Sequence, residues 1–238
     1  MLNKKMKLFC IPYSGGNAAI YTKWRSFLLE NIVLCPIELA GRGRRMRDPF
    51  YNDVTEAAKD LASLIAMQLE GEETYAIYGH SLGSLLAYET YYNLLEIGIN
   101  PPWHMFFSGR KAPQNMEPVT NYYLQSDEEF LDFVFTYGGN TKEVMQDERL
   151  RKIFLPILRA DIRLNETYKY KRKTEKVACN ISIINGNQDQ SVKEFDMREW
   201  EQCTQGKCSI YEFTGDHFFL FDNCLTVTEL VNYTLNSK

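Results

Sequence analysis

The stretch Gly79-His80-Ser81-Leu82-Gly83 has the form G-x-S-x-G, a spacing that can hold a serine hydroxyl on a sharp turn between a strand and a helix. The flanking residues supply that setting, with an apolar strand-like run at Tyr75, Ala76 and Ile77 and a helical one at Leu85, Leu86, Ala87 and Tyr88. A turn this tight strains the serine backbone and leaves no room for neighbouring side chains, which gives Gly79 and Gly83 a physical purpose. A serine that only caps a helix needs no glycine on either side. Ser81 is therefore read as a nucleophile.

A serine hydroxyl attacks only when a base takes its proton and a third group orients that base. The chain has three histidines. His80 lies inside the turn and is expected to point away from substrate. His104 follows Pro101-Pro102-Trp103 at the start of a core strand and reads as a packing residue. His217 sits in Gly215-Asp216-His217-Phe218-Phe219, just after the last strand-like run, and is the expected base. Asp189 closes the turn-rich Asn185–Asp189 directly after an apolar strand and is the expected orienting acid; Asp216, adjacent to His217, is its competitor. Serine, acid and histidine in that chain order are the arrangement of an α/β-hydrolase. The charge that develops at the attacked carbonyl needs two backbone N–H donors. Leu82 supplies one, and the loop Ile11-Pro12-Tyr13-Ser14-Gly15-Gly16 the other, with Ser14 preferred and Gly15 next. That loop could also cradle a phosphate, but neither a Walker motif nor G-x-G-x-x-G accompanies it, so no nucleotide is expected.

These residues need a scaffold that brings three loops to one edge. Strand-like runs fall at Lys7–Pro12, Ile32–Leu39, Thr74–Tyr78, Trp103–Ser108, Asn180–Asn185 and Cys208–Phe213. Helical periodicity falls between them at Ala18–Leu29, Val54–Leu69 and Leu82–Ile97, and more weakly at Val192–Gln202 and Leu225–Leu235. Strands that alternate with helices predict an α/β fold, with a mainly parallel central sheet flanked by helices. From about residue 120 to 176 no strand interrupts helix-like segments, which predicts an inserted helical lid over the C-terminal edge of the sheet.

At 238 residues and 45% hydrophobic the chain can build one sizeable core, read as one domain over 1–238. A net charge of −4 gives no global reason to bind nucleic acid or an anionic membrane. Six scattered cysteines form no CxxC pair and no metal-ligand spacing, as in a reduced cytoplasm, and no segment has the length of a membrane span. The basic stretch Arg42, Arg44, Arg45 and Arg47 reads either as a solvated loop with one or two structural arginines or as a docking surface.

Seven stretches together resemble the stand-alone type II thioesterases of nonribosomal peptide and polyketide synthases: Ile11–Gly16, Glu38–Arg45, Gly79–Gly83, Phe107–Pro113, Leu155–Asp161, Gly186–Asp189 and Gly215–Leu220. Ala40 and Asp216 depart from the family's usual residues without touching the expected chemistry. The resemblance implies hydrolysis of acyl or aminoacyl thioesters on the phosphopantetheine arm of carrier proteins, by Ser81, Asp189 and His217. It also implies that no metal or dissociable cofactor is needed. The basic stretch, read as a docking surface, would receive an acidic carrier near Arg44 and Arg45, and a monomer is expected because nothing in the sequence suggests a self-complementary surface. Thioester specificity comes from this likeness alone, since the same triad serves oxoesters. A general carboxylesterase, an acyltransferase that excludes water, and a binding protein with an idle triad are the alternatives.

Overall fold

The computed structural model describes residues 5–69, 74–115, 120–137 and 145–237. Six strands, β1 (Met6–Ile11), β2 (Ile32–Pro36), β3 (Thr74–His80), β4 (His104–Ser108), β5 (Asn180–Gly186) and β6 (Cys208–Phe213), form one sheet in the order β2-β1-β3-β4-β5-β6. Every neighbouring pair is parallel. Each apolar run found in the sequence becomes a strand; β2 stops at Pro36, where the N–H of Ile37 makes a last bond to the Cys10 carbonyl at 2.9 Å.

Alternation along the strands sends successive side chains to opposite faces, so one sheet builds two cores. Phe9, Ile11, Ile77, Met105, Phe107, Ile181 and Ile183 pack against α1 (Val54–Gln68) and α2 (Leu82–Glu96). On the other face Leu8, Cys10, Tyr78, Phe106 and Ile184 meet Tyr21, Trp24 and, from the last helices, Phe219, Val227 and Val231. Both faces are thus covered, as a parallel sheet requires. Among the described residues no helix is long and apolar enough to cross a membrane.

Two expected α-helices are corrected. Ala18–Ser26 is a 3-10 helix whose two buried side chains, Tyr21 and Trp24, lie three residues apart, a spacing that fits three residues per turn as well as 3.6. The expected helix at Val192–Gln202 is reduced to a 3-10 helix at Met197–Cys203, begun by Asp196 accepting from the Arg198 N–H.

Between β4 and β5 the chain runs through a 3-10 turn at Tyr122–Leu124, α3 (Asp127–Phe135) and α4 (Glu148–Thr167). Phe130, Leu131 and Val134 of α3 bury against Leu155, Leu158 and Ile162 of α4 in a separate small core. Residues 138–144, within the stretch expected as a lid, lie outside the described residues. After β6, α5 (Phe219–Asp222) and α6 (Cys224–Asn236) close the chain.

The chain passes from β1 to β2 on one side of β1 and then crosses to β3 on the other. In open α/β sheets the crevice outside the carboxyl ends at such a reversal is where ligands bind. The loops after β1 and β3 meet there.

Candidate active site

Ser81 follows β3 directly and has φ 55° and ψ −115°, one of two non-glycine residues with positive φ among those described. Such a conformation costs on the order of 1–3 kcal/mol and persists only where its surroundings impose it. Here they do. The Ser81 N–H donates to the Ser108 carbonyl at 2.8 Å, and the Ser84 hydroxyl lies 2.8 Å from both the Gly79 and Ser108 carbonyls. A Cβ on Gly79 would sit 2.2 Å from the Gly83 carbonyl oxygen, and one on Gly83 would sit 2.2 Å from the Ile11 carbonyl oxygen. Both glycines are needed because backbone passes where a side chain would be.

The loops after β5 and β6 are fastened to each other through backbone. Asn187 N–H donates to the Phe213 carbonyl at 2.8 Å and Gln188 N–H to the Gly215 carbonyl at 2.9 Å. That fastening brings Asp189 Oδ2 to 2.7 Å from His217 Nδ1, with both residues buried. Burial pushes the Asp189 carboxyl up, but hydrogen bonds from His217 and Ser191 outweigh it and hold the group below its ordinary range. His217, Ser81 and Ser14 line one cavity of about 180 Å³, whose far wall is built by Phe133 and Val134 of α3 and Leu158 and Ile162 of α4. Asp216, the competitor, faces elsewhere: it is exposed and caps its own turn by accepting from the Phe218 N–H at 2.8 Å.

Leu82 is the first residue of α2, where backbone N–H groups have no partner within the helix. Of the two residues considered for the second donor, Gly15 is committed, since its N–H donates to Asp161 Oδ2 at 2.7 Å. Ser14 remains, and its hydroxyl accepts from Asn165 Nδ2 at 3.1 Å.

Two contributions were not expected from the sequence, that of Ser191 and the bond His80 makes to His217. Ser191 donates to Asp189 Oδ1 at 2.6 Å and lies 3.2 Å from His217 Nδ1. His80 does point away from the cavity, as expected, yet it anchors His217. Its Nε2 lies 2.9 Å from the His217 carbonyl oxygen, so that nitrogen carries the proton, and its Nδ1 accepts from the Ser108 hydroxyl at 2.8 Å. Burial above all, then the neighbouring His217, pull its pKa down to about 3, which keeps it neutral. His104 is a packing residue, buried and 2.9 Å from the Ser182 hydroxyl through Nε2.

The basic stretch divides. Arg42 is buried in a bidentate pair with Asp161, at 2.5 and 2.6 Å. Arg45 is half-buried and bonded to Asp48 and Asp60 at 2.7 and 2.6 Å. Arg44 and Arg47 are exposed.

A parallel sheet carrying a strained serine after β3, a carboxylate after β5 and a histidine after β6 defines an α/β-hydrolase. Comparison with known proteins makes the class narrower: the thioesterase-domain family model matches residues 6–234. This chain belongs to the thioesterase family, and within it to the type II thioesterases of nonribosomal peptide and polyketide pathways. Among its relatives is linear gramicidin dehydrogenase LgrE of Brevibacillus parabrevis, 34% identical over 97% of this chain and 88% of that one. ClbQ from the colibactin NRPS/PKS pathway superposes with a TM-score of 0.92 at 36% identity, covering 97% of both chains. BorB, the type II thioesterase from the borrelidin biosynthetic cluster, gives a TM-score of 0.87 at 28% identity over 98% of this chain and 93% of its own.

Proposed function

We propose that this thioesterase removes misprimed or stalled acyl and aminoacyl groups from the phosphopantetheine arm of carrier proteins, through an acyl-enzyme on Ser81. The single observation that carries the mechanism is the Asp189–His217 hydrogen bond, 2.7 Å long, in a site whose cavity also contains Ser81 on its strained turn. Asp189 holds the imidazole in the tautomer with its proton on Nδ1, which leaves Nε2 as the base. His217 takes the hydroxyl proton as Ser81 Oγ attacks the acyl carbonyl carbon. The oxygen's new negative charge accepts from the N–H groups of Leu82 and Ser14, donors that are fixed before reaction begins. Collapse breaks the C–S bond and expels pantetheine as a thiolate, which takes the proton from His217. A thiol pKa near 8.5 makes that departure easier than an alkoxide's. Water then attacks the acyl-serine with His217 again as base, releasing the acid and returning the proton to Ser81. The helices α3 and α4 act as the lid that excludes other water.

The name of one relative denotes hydride transfer. The pairing of Asp189 with His217 supports acyl transfer instead, and the Gly15 N–H is held by Asp161 rather than free to face a pyrophosphate. Carrier docking draws on Arg44 and Arg47, the exposed members of the basic stretch, and the enzyme works as a cytoplasmic monomer beside its synthase. Arg45, named with Arg44 from sequence, contributes through its structural bonds.

The test compares release of acetyl and longer acyl groups from a phosphopantetheinylated carrier protein, from small pantetheine thioesters and from a p-nitrophenyl ester. Faster turnover of the carrier thioesters supports the reading; cleavage of the simple ester alone would replace it with a carboxylesterase. Arg44→Glu with Arg47→Glu is expected to raise KM for carrier-bound groups several-fold, leaving small thioesters unchanged and fading with salt. An equal effect on both substrates would remove the docking surface from the account.

A further inference from the structure

Asp161 lies on α4 between two residues that line the cavity, Leu158 and Ile162, yet its carboxylate is buried and turned to the opposite loops. Its two oxygens carry three bonds. Oδ1 accepts from Arg42 Nη2 at 2.6 Å, and Oδ2 accepts from Arg42 Nη1 at 2.5 Å and from the Gly15 N–H at 2.7 Å. Arg42 Nη1 also donates to the Gly16 carbonyl at 3.1 Å. Gly15 has φ +82°, a conformation open to glycine, and a Cβ there would press on the Leu158 side chain at 3.1 Å. The loop after β1 is thus gripped at two consecutive residues, the Gly15 N–H and the Gly16 carbonyl, by an ion pair from two other parts of the chain.

We propose that Asp161 and Arg42 are positioning residues for the reaction: by holding the Gly15 peptide they orient the preceding amide, that of Ser14, toward the acyl oxygen. This rests on the Ser81 mechanism above. The pair also joins the helix that walls the acyl cavity to the loop that stabilises the transition state, so the two are set together. A buried pair is a weak source of stability, and apolar replacements of similar volume are often tolerated, so the contribution to positioning is separable from folding.

Two double variants separate them. Arg42→Gln with Asp161→Asn keeps an oxygen acceptor for the Gly15 N–H, whereas Arg42→Met with Asp161→Leu removes it. With a small acyl thioester, the Met/Leu variant is expected to lose roughly 10- to 100-fold in kcat with KM within about threefold, the cost of a loosened oxyanion donor. The Gln/Asn variant is expected to recover most of that loss. Folded Met/Leu enzyme with kcat within about twofold of wild type would overturn the proposal. So would loss through KM alone. If the Met/Leu variant does not fold, the wild-type enzyme decides: on binding phenylboronic acid, which forms a tetrahedral adduct with the serine, the Ser14 amide proton is expected to shift and the Gly15 amide to stay in place. A shift at Gly15 with Ser14 unmoved would reject the assignment. Failure of the underlying mechanism is distinct, because wild-type turnover would then be insensitive to Ser81→Ala.

Discussion

His80 and His104 are sealed in the fold as neutral imidazoles, and this makes acid stability a quantitative test of the structure. Burial, and for His80 the proximity of His217, pull the two pKa values from 6.5 to about 3 and about 4. Both folded values lie below the unfolded value. As pH falls through 6.5 the unfolded chain therefore binds protons that the native one refuses, and stability present above 6.5 is lost. Each group removes about 1.4 kcal/mol per pH unit inside its window. His80 thus accounts for about 5 kcal/mol lost between pH 6.5 and 3, and His104 for about 3 kcal/mol between 6.5 and 4. Their joint effect is comparable to the whole stability of an ordinary domain, about 5–15 kcal/mol. Asp189, held low in the fold, adds a further loss only below the ordinary carboxylate range. Urea unfolding between pH 5 and 6 isolates the histidines, with an expected slope of about 2.5 kcal/mol per pH unit. His104→Gln, remote from the cavity, is expected to halve it. A wild-type slope near zero, or one unchanged by His104→Gln, would refute the reasoning.

Two substitutions probe the site directly. Gly83→Ala drives a Cβ to 2.2 Å from the Ile11 carbonyl and is expected to cost about 3 kcal/mol in chemical denaturation, because backbone on both sides must move. A loss under about 0.5 kcal/mol would contradict the packing of the turn. Ser191→Ala removes the hydroxyl donor to Asp189 Oδ1, leaving the Ser191 N–H in place, and is expected to lower kcat roughly tenfold on a small thioester, with Ser191→Thr retaining most activity. An unchanged kcat would mean that Asp189 needs no second support.

The fold was legible because local signals agreed: apolar runs ended by glycine, proline or turn residues became all six strands, and periodic segments became α1, α2 and α6. The misread segments have local causes. Tyr21 and Trp24 repeat at a spacing shared by both helix types, and Ser191 gives its N–H to Asp189 Oδ1 at 2.9 Å, so the loop's own bonds displace the helix expected at Val192. Ser81, Asp189 and His217 stood out in the sequence because each follows a strand in a stretch rich in turn residues, and the structure brings Asp189 and His217 into contact and puts Ser81 and His217 on one cavity. The Arg42–Asp161 pair spans 119 residues, and the His80 clamp on His217 spans 137. Bonds of that reach depend on how layers pack, so no local pattern announces them. The arginine stretch illustrates the limit, since identical residue types at Arg42, Arg44 and Arg45 are respectively buried, exposed and half-buried.

Release of an acetyl group from a phosphopantetheinylated carrier protein, followed in a single turnover with wild-type enzyme and with Ser81→Ala, tests the central claim most directly. The account predicts Ser81-dependent release, slowed at least about a thousandfold in the variant. Release at the same rate in both proteins would contradict it.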